Sequence, residues 1–385
     1  MQHRPRKVAY YPAWAIYDRK FAPADVPVER LTHINYGFAN LVNNTITLGD
    51  SWADVEKPWP DTQYESGDTK GSFGEFNNPS SPVRRRNPQL RSMISVGGWT
   101  WSAGFSAMAA SYELRMEFIR SVGAFLQKHR FDGVDIDWEH PVEGGMDSNP
   151  HSPHDATNYA HLLYDLRAHL DSLPPPRFGR YEITIATSAA RSVYRHLDLR
   201  AIAHVVDAIN IMAYDYAGAW SPATAHQQNL FTSPVSSSGI AGDDTVSDYI
   251  RAGVPPEKIV LGVGFYGRGF ANVKHEQSRG NVPGLGCPFS GVPKGTWEDG
   301  VFDYKALRTN QMQANSSYTP YWDDNAKAPV LYSEKERILI SFDDPVSVSW
   351  KADYVLRRRL GGLMIWEISQ DYNNELLAKM CEYLG

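Results

Sequence analysis

Short apolar runs recur along the chain with helical patterns between them, the arrangement of parallel strands joined by crossover helices. Strands are predicted at residues 8–14, 31–38, 91–97, 133–138, 181–187, 205–214, 259–265 and 362–366. Between the fourth and fifth, residues 157–173 read as an amphipathic helix, with Tyr159, Leu162, Leu163, Leu166 and Leu170 three and four apart. Residues 116–129 give another, through Phe118, Ile119, Val122, Phe125 and Leu126. Eight strands alternating with helices predict an α/β fold, the (β/α)8 TIM barrel, whose sites lie at the C-terminal ends of the strands.

Two stretches interrupt the alternation. Residues 42–87 are rich in Gly, Pro, Asn, Asp and Ser, and predict a long excursion after the second strand, with a loop at one rim where a helix before the third strand is expected. Residues 267–337 carry their own Gly and Pro punctuation and their own aromatics, Trp297, Phe302, Tyr304, Tyr318, Tyr321 and Trp322. They predict a small α+β insertion between the seventh and eighth strands, with the barrel formed by 1–266 and 338–385.

The segment with the most chemistry is Phe131-Asp132-Gly133-Val134-Asp135-Ile136-Asp137-Trp138-Glu139-His140. Side chains alternate across a strand, so Asp135, Asp137 and Glu139 share one face at roughly 6–7 Å per two-residue step, while Val134, Ile136 and Trp138 point the other way. Acids so close cannot all ionise at neutral pH, which raises at least one pKa and supplies a proton donor. Glu139, at the C-terminal end, is placed to meet a substrate. Two other readings stay open: an edge strand with a solvated acidic face, and a divalent cation held by carboxylates.

Composition narrows the partners. The 385 residues hold 38 Lys plus Arg against 44 Asp plus Glu, a net charge of −6 without a basic block, which speaks against nucleic acid or an anionic membrane and for a neutral substrate. No apolar stretch reaches the roughly 18 residues that span a bilayer. With 11 Trp, 21 Tyr and 15 Phe, aromatic faces are plentiful. Cys287 and Cys381 match no metal or redox spacing, although they are free to pair in space. The N-terminus enters the first strand without the apolar core of a signal peptide, so the chain is read as intracellular, or as extracellular with a leader already removed.

At the acidic strand the chain resembles family 18 of the glycoside hydrolases, the chitinases, whose signature Asp-Gly-x-Asp-x-Asp-x-Glu is filled by Asp132, Gly133, Asp135, Asp137 and Glu139. Further motifs follow in order: Ser95-Val96-Gly97-Gly98-Trp99, Met212-Ala213-Tyr214-Asp215, Tyr266-Gly267-Arg268 and Trp366. The resemblance implies hydrolysis of chitin and N-acetylglucosamine oligosaccharides by a monomer, without metal or cofactor, through a substrate-assisted retaining mechanism. It implies Glu139 as acid and base, Asp137 as partner of the acetamido group, Asp135 sharing a proton with Asp137, and Tyr214 and Asp215 as hydrogen-bonding groups.

Sugar rings present apolar C–H faces that stack on aromatics. Trp366 is expected to floor the site and Trp99 and Trp220 to stack on the leaving-group side, with Met212, Tyr11, Phe38, Tyr266, Arg268 and Trp297 as further binding candidates. Two positions depart from the family, His140 where Tyr is common and Glu367 where smaller residues are frequent. The resemblance leaves two alternatives to a chitinase: an endo-β-N-acetylglucosaminidase acting on N-glycans, and a non-catalytic chitin-binding lectin.

Overall fold

A computed structural model of the chain describes residues 4–236, 238–278 and 280–385. Its strands are β1 (Arg6–Pro12), β2 (His33–Val42), β3 (Thr45–Thr47), β4 (Arg91–Gly97), β5 (Gly133–Asp137), β6 (Glu182–Ser188), β7 (Ala208–Met212), β8 (Ile259–Gly264), β9 (Tyr266–Phe270), β10 (Val301–Asp303), β11 (Thr319–Asp323), β12 (Ala328–Ser333), β13 (Ile338–Ser341) and β14 (Gly362–Trp366). Eight of them close a parallel barrel in the order β1-β2-β4-β5-β6-β7-β8-β14, with β3 added antiparallel to β2. The eight predicted strands are these eight. The sixth was predicted too long at its start, because Val205 ends a helix, Leu199–Val205, whose apolar residues run on into the strand.

The chain resolves into two compact units. The first, Arg6–Ile211 with Ala252–Val260, contains β1 to β7. Its ladders pair Ser95 with Asp135 and Gly97 with Asp137 between β4 and β5, and Asp135 with Thr184 between β5 and β6. The apolar face of β5 is covered as its period of two requires: Val134, Ile136 and Trp138 are buried. Trp138 stacks on Phe105 at 5.4 Å and meets Tyr159 of the helix Asp155–Ser172 edge-on at 5.3 Å.

The excursion after β2 is packed, which corrects the rim loop predicted for it. It holds two short helices, Gly71–Asn77 and Pro82–Arg86; the second is capped by Ser81 Oγ, which accepts from the Arg84 amide. Pro79 and Pro82 divide what a single crossover helix would occupy, yet Phe73 and Phe76 still reach the core. Phe73 lies edge-on to Tyr36 and Phe131, and the Tyr36 hydroxyl donates to the buried Asp54 carboxylate.

The second unit contains Met212–Arg251 and Leu261–Gly385. Within it a five-stranded antiparallel sheet runs in the order β10-β9-β13-β12-β11, from Tyr266 to Ser341. One side of that sheet carries an apolar cluster of Phe270, Val330, Tyr332, Leu339 and Cys287. Neither cysteine forms a disulfide; Cys287 lies in this cluster and Cys381 on the C-terminal helix. Among the described residues no helix is long and apolar enough to cross a membrane.

Candidate active site

The first unit holds the acids. Asp135 is fully buried, and its carboxylate accepts four hydrogen bonds: from Tyr10 at 2.6 Å, Ser95 at 2.8 Å, Thr184 at 2.6 Å and Asn210 Nδ2 at 3.2 Å. Burial pushes this carboxyl up, and the three hydroxyls and the amide pull it back toward the ionised form. Asp137, one step along the same face, is also buried, but its Oδ1 has no hydrogen-bond partner. Burial, then the charges of Glu139 and Asp135, push its carboxyl well above the usual range. Of the two, Asp137 is the carboxyl on which nothing opposes the upward push.

Glu139 follows, half-buried, with its backbone fixed from both sides. Its amide donates to Ser102 Oγ at 2.9 Å, and that hydroxyl in turn bonds the carbonyls of Gly98 and Asp137. The Asn149 side chain donates to the Glu139 carbonyl at 3.1 Å, from a loop in which Gly145 lies so close that a Cβ there would meet that oxygen at 2.2 Å. His140 Nε2 lies 3.6 Å from the Glu139 carboxylate. Burial lowers the His140 imidazole to about 4, so it stands beside Glu139 as a neutral ring. Ser102 and Asn149 were not read from the sequence, where nothing sets them apart from ordinary loop residues.

Of the aromatic candidates in this unit, Trp99 is open to solvent with 53% of its surface exposed. Phe38 is largely buried, with its ring 6.3 Å from Trp14. Tyr11 has no exposed surface; its hydroxyl donates to the Phe21 carbonyl and its ring packs on Phe76, so it supports the rim from beneath.

The second unit holds hydrogen-bonding and stacking groups. Tyr214 and Asp215 follow β7, Asp215 in the left-handed region at φ 59°. Its carboxylate accepts from the Tyr266 hydroxyl and from Arg268 Nε, both at 2.6 Å. Burial and this carboxylate hold the Tyr266 phenol well above its ordinary value. The Arg268 guanidinium also lies over the Trp220 ring at 4.8 Å. The buried Gln227 ties the group together, accepting from the Asp215 amide at 3.0 Å and donating to the Tyr266 carbonyl at 3.0 Å. Tyr214 meets Tyr266 edge-on at 6.1 Å, and its hydroxyl lies 3.8 Å from the Met364 sulfur.

Met212 and Trp366, at the C-terminal ends of β7 and β14, are half-buried; Trp220 and Trp297 are exposed by 60% and 52%. Glu367 turns its carboxylate onto the Ser369 amide and hydroxyl, each at 2.7 Å, and caps the turn after β14. Among the described residues no cluster of three or more His, Cys, Asp or Glu side chains is arranged as a metal cage.

Comparison with known proteins gives one answer. The profile described as "Glycosyl hydrolases family 18" matches residues 6–371. Chitinase A1 of Niallia circulans is 38% identical over 97% of this chain and 57% of its own length. Endochitinase 1 of Metarhizium robertsii is 36% identical over 94% of this chain and 80% of its own. Among solved structures, chitinase ChiA74 from Bacillus thuringiensis superposes with a TM-score of 0.88 at 33% identity, covering 99% of this chain and 69% of that one. This chain thus spans little more than half of the first of these relatives and most of the others. Its acid-bearing strand, its parallel barrel and its sequence place it in one group: the chain belongs to family 18 of the glycosyl hydrolases.

Proposed function

We propose that this chain is a chitinase, hydrolysing β-1,4-linked N-acetylglucosamine polymers and oligomers with the substrate's own acetamido group as nucleophile. The observation that carries the reading is the row of three acids on β5 and its extension, with Asp137 buried, its carboxyl pushed well above the usual range by burial and by the neighbouring Glu139. In the first step the Glu139 proton passes to the glycosidic oxygen as its bond to the anomeric carbon breaks, while the acetamido carbonyl oxygen bonds that carbon. The product is an oxazolinium ring. Asp137 accepts the acetamido N–H and, as its shared proton passes to Asp135, offsets the positive charge as a carboxylate. In the second step the Glu139 carboxylate takes a proton from water, whose oxygen attacks the anomeric carbon and reopens the ring.

Tyr214 donates to the acetamido oxygen, and Asp215, oriented by Tyr266 and Arg268, bonds the distorted sugar. Trp366 floors the site; Trp99, Trp220 and Trp297 offer faces to further sugars. Two inversions at one carbon give net retention. NMR of the first turnovers should therefore show the β-anomer before mutarotation, and initial accumulation of the α-anomer would overturn the mechanism.

A further inference from the structure

Trp297 poses a physical question that its exposure sharpens. A large ring with half its surface in water has several rotamers open to it, and a sugar that stacks on a mobile ring must first immobilise it. Here the ring is held. Trp297 sits on a hairpin closed by the Thr296 amide donating to the Val301 carbonyl at 2.8 Å. At the hairpin's base Gly295 is required, since a Cβ there would meet the Glu298 and Val301 carbonyls at 2.1 and 2.2 Å. From β10, two residues past Val301, the buried Asp303 reaches back and accepts the indole N–H on Oδ2 at 2.9 Å.

The other oxygen of the same carboxylate makes a second link. Asp303 Oδ1 accepts from Gln370 Nε2 at 2.9 Å, and Gln370 Oε1 accepts the backbone N–H of Glu367, the residue after Trp366, at 3.1 Å. One carboxylate thus joins the Trp297 hairpin to Gln370, 67 residues beyond Asp303, in the turn that follows Trp366. The turn is independently braced by the Glu367 carboxylate on Ser369. An indole N–H is a donor only, and Gln370 presents its NH₂ because its oxygen is already engaged. Both links therefore need acceptors at residue 303. A carboxylate supplies two and an amide supplies one.

We propose that Asp303 is a positioning residue that keeps Trp297 in its stacking orientation and registers it against Trp366, so that it sets the preference of the enzyme for longer N-acetylglucosamine chains. The inference rests on the reading of this chain as a chitinase. The test compares the trimer and the hexamer of N-acetylglucosamine as substrates of the wild type, Asp303→Asn, Trp297→Phe and the double variant. Trp297→Phe keeps a smaller aromatic face and removes the N–H together with the pyrrole ring.

Each single variant should raise KM for the hexamer about tenfold more than for the trimer, with a smaller change in kcat, as expected for one stacked ring released. The double variant should lose little beyond either single one, because both changes cut the same bond. A loss of equal size on both substrates, strictly additive losses, or a Trp297→Phe enzyme with wild-type KM for the hexamer would overturn the proposal. A wild type that cleaves neither oligomer sinks the functional reading and this inference together, whereas normal cleavage without length dependence in the variants sinks this inference alone.

Discussion

Acids flank β5 at both ends, joined at its N-terminal end by the half-buried Glu182 of β6, and the two ends are handled in opposite ways. At the N-terminal end, Asp132 accepts from Arg84 at 3.2 Å, from Arg177 at 3.1 Å and from the Ser92 amide at 2.9 Å. Beside it Glu182 is held by Arg6 at 2.6 Å, His33 at 3.1 Å and Arg91 at 3.2 Å. At the other end, Asp135 and Asp137 have no lysine or arginine partner among the described ion pairs. Burial acts on both sets to raise the carboxyl pKa. The His33 ring and then the Arg6 guanidinium overcome it at Glu182, which is held far below its ordinary value, while at Asp137 nothing opposes it. A buried acid with its cation holds strands together; a buried acid denied one keeps a proton available. Within one signature motif, Asp132 has its cations and Asp137 has none, although burial still pushes the Asp132 carboxyl up to about 7.

The sharpest way to test this contrast is Glu139→Gln. It should lower kcat on N-acetylglucosamine oligomers by about 10³–10⁴ while calorimetry still detects oligomer binding, since an amide neither gives nor takes the proton. Full turnover by the variant would end the assignment. Asp137→Asn should cost about 10²–10³ in kcat. It should also raise Tm at pH 7, because the folded protein binds a proton there that the unfolded chain, with an aspartate pKa near ~3.9, releases. Asp137 thus contributes stability below about pH 4 that is lost as pH rises, and Asn removes that dependence; the Tm gain should vanish as pH falls toward 4. A Tm that falls at pH 7 would contradict the protonated state.

Glu182→Gln should do the reverse, destabilising by about 1–3 kcal/mol in urea unfolding, because two partly buried arginines lose their counter-charge. The sign of its pH dependence is also opposite. A depressed carboxyl stabilises above the unfolded value of about 4.3, so the gap between wild type and variant should narrow as pH falls below 4. A gap that widens in acid would show that the pair is not what stabilises. The smallest expected effect is that of EDTA, which should leave the rate unchanged because acids serving the acetamido group hold no ion; a lost rate would revive the cation reading.

What the sequence disclosed followed from local periodicity. The acids of β5 stand two apart and point inward, so their shared face was legible, and the apolar runs located all eight barrel strands. Partners brought from far along the chain left no local trace. Arg84 lies 48 residues from Asp132, and Asn210 lies 75 from Asp135. The excursion after β2 misled because prolines and glycines suggest loops, while the two phenylalanines that decide its packing are too few to set a period. Glu367 was legible as unusual, but its cap on Ser369 depends on the turn geometry.

The four donors on Asp135 come from β1, β4, β6 and β7, so no segment of chain contains the site. Moving the acidic strand alone into another barrel would carry over a buried carboxyl without the hydroxyls and amide that satisfy it. A transplant would have to recruit residues at four chosen heights on four other strands. For an engineer, the unit of transfer is a ring of the barrel at the level of Asp135, cut across the strands rather than along one.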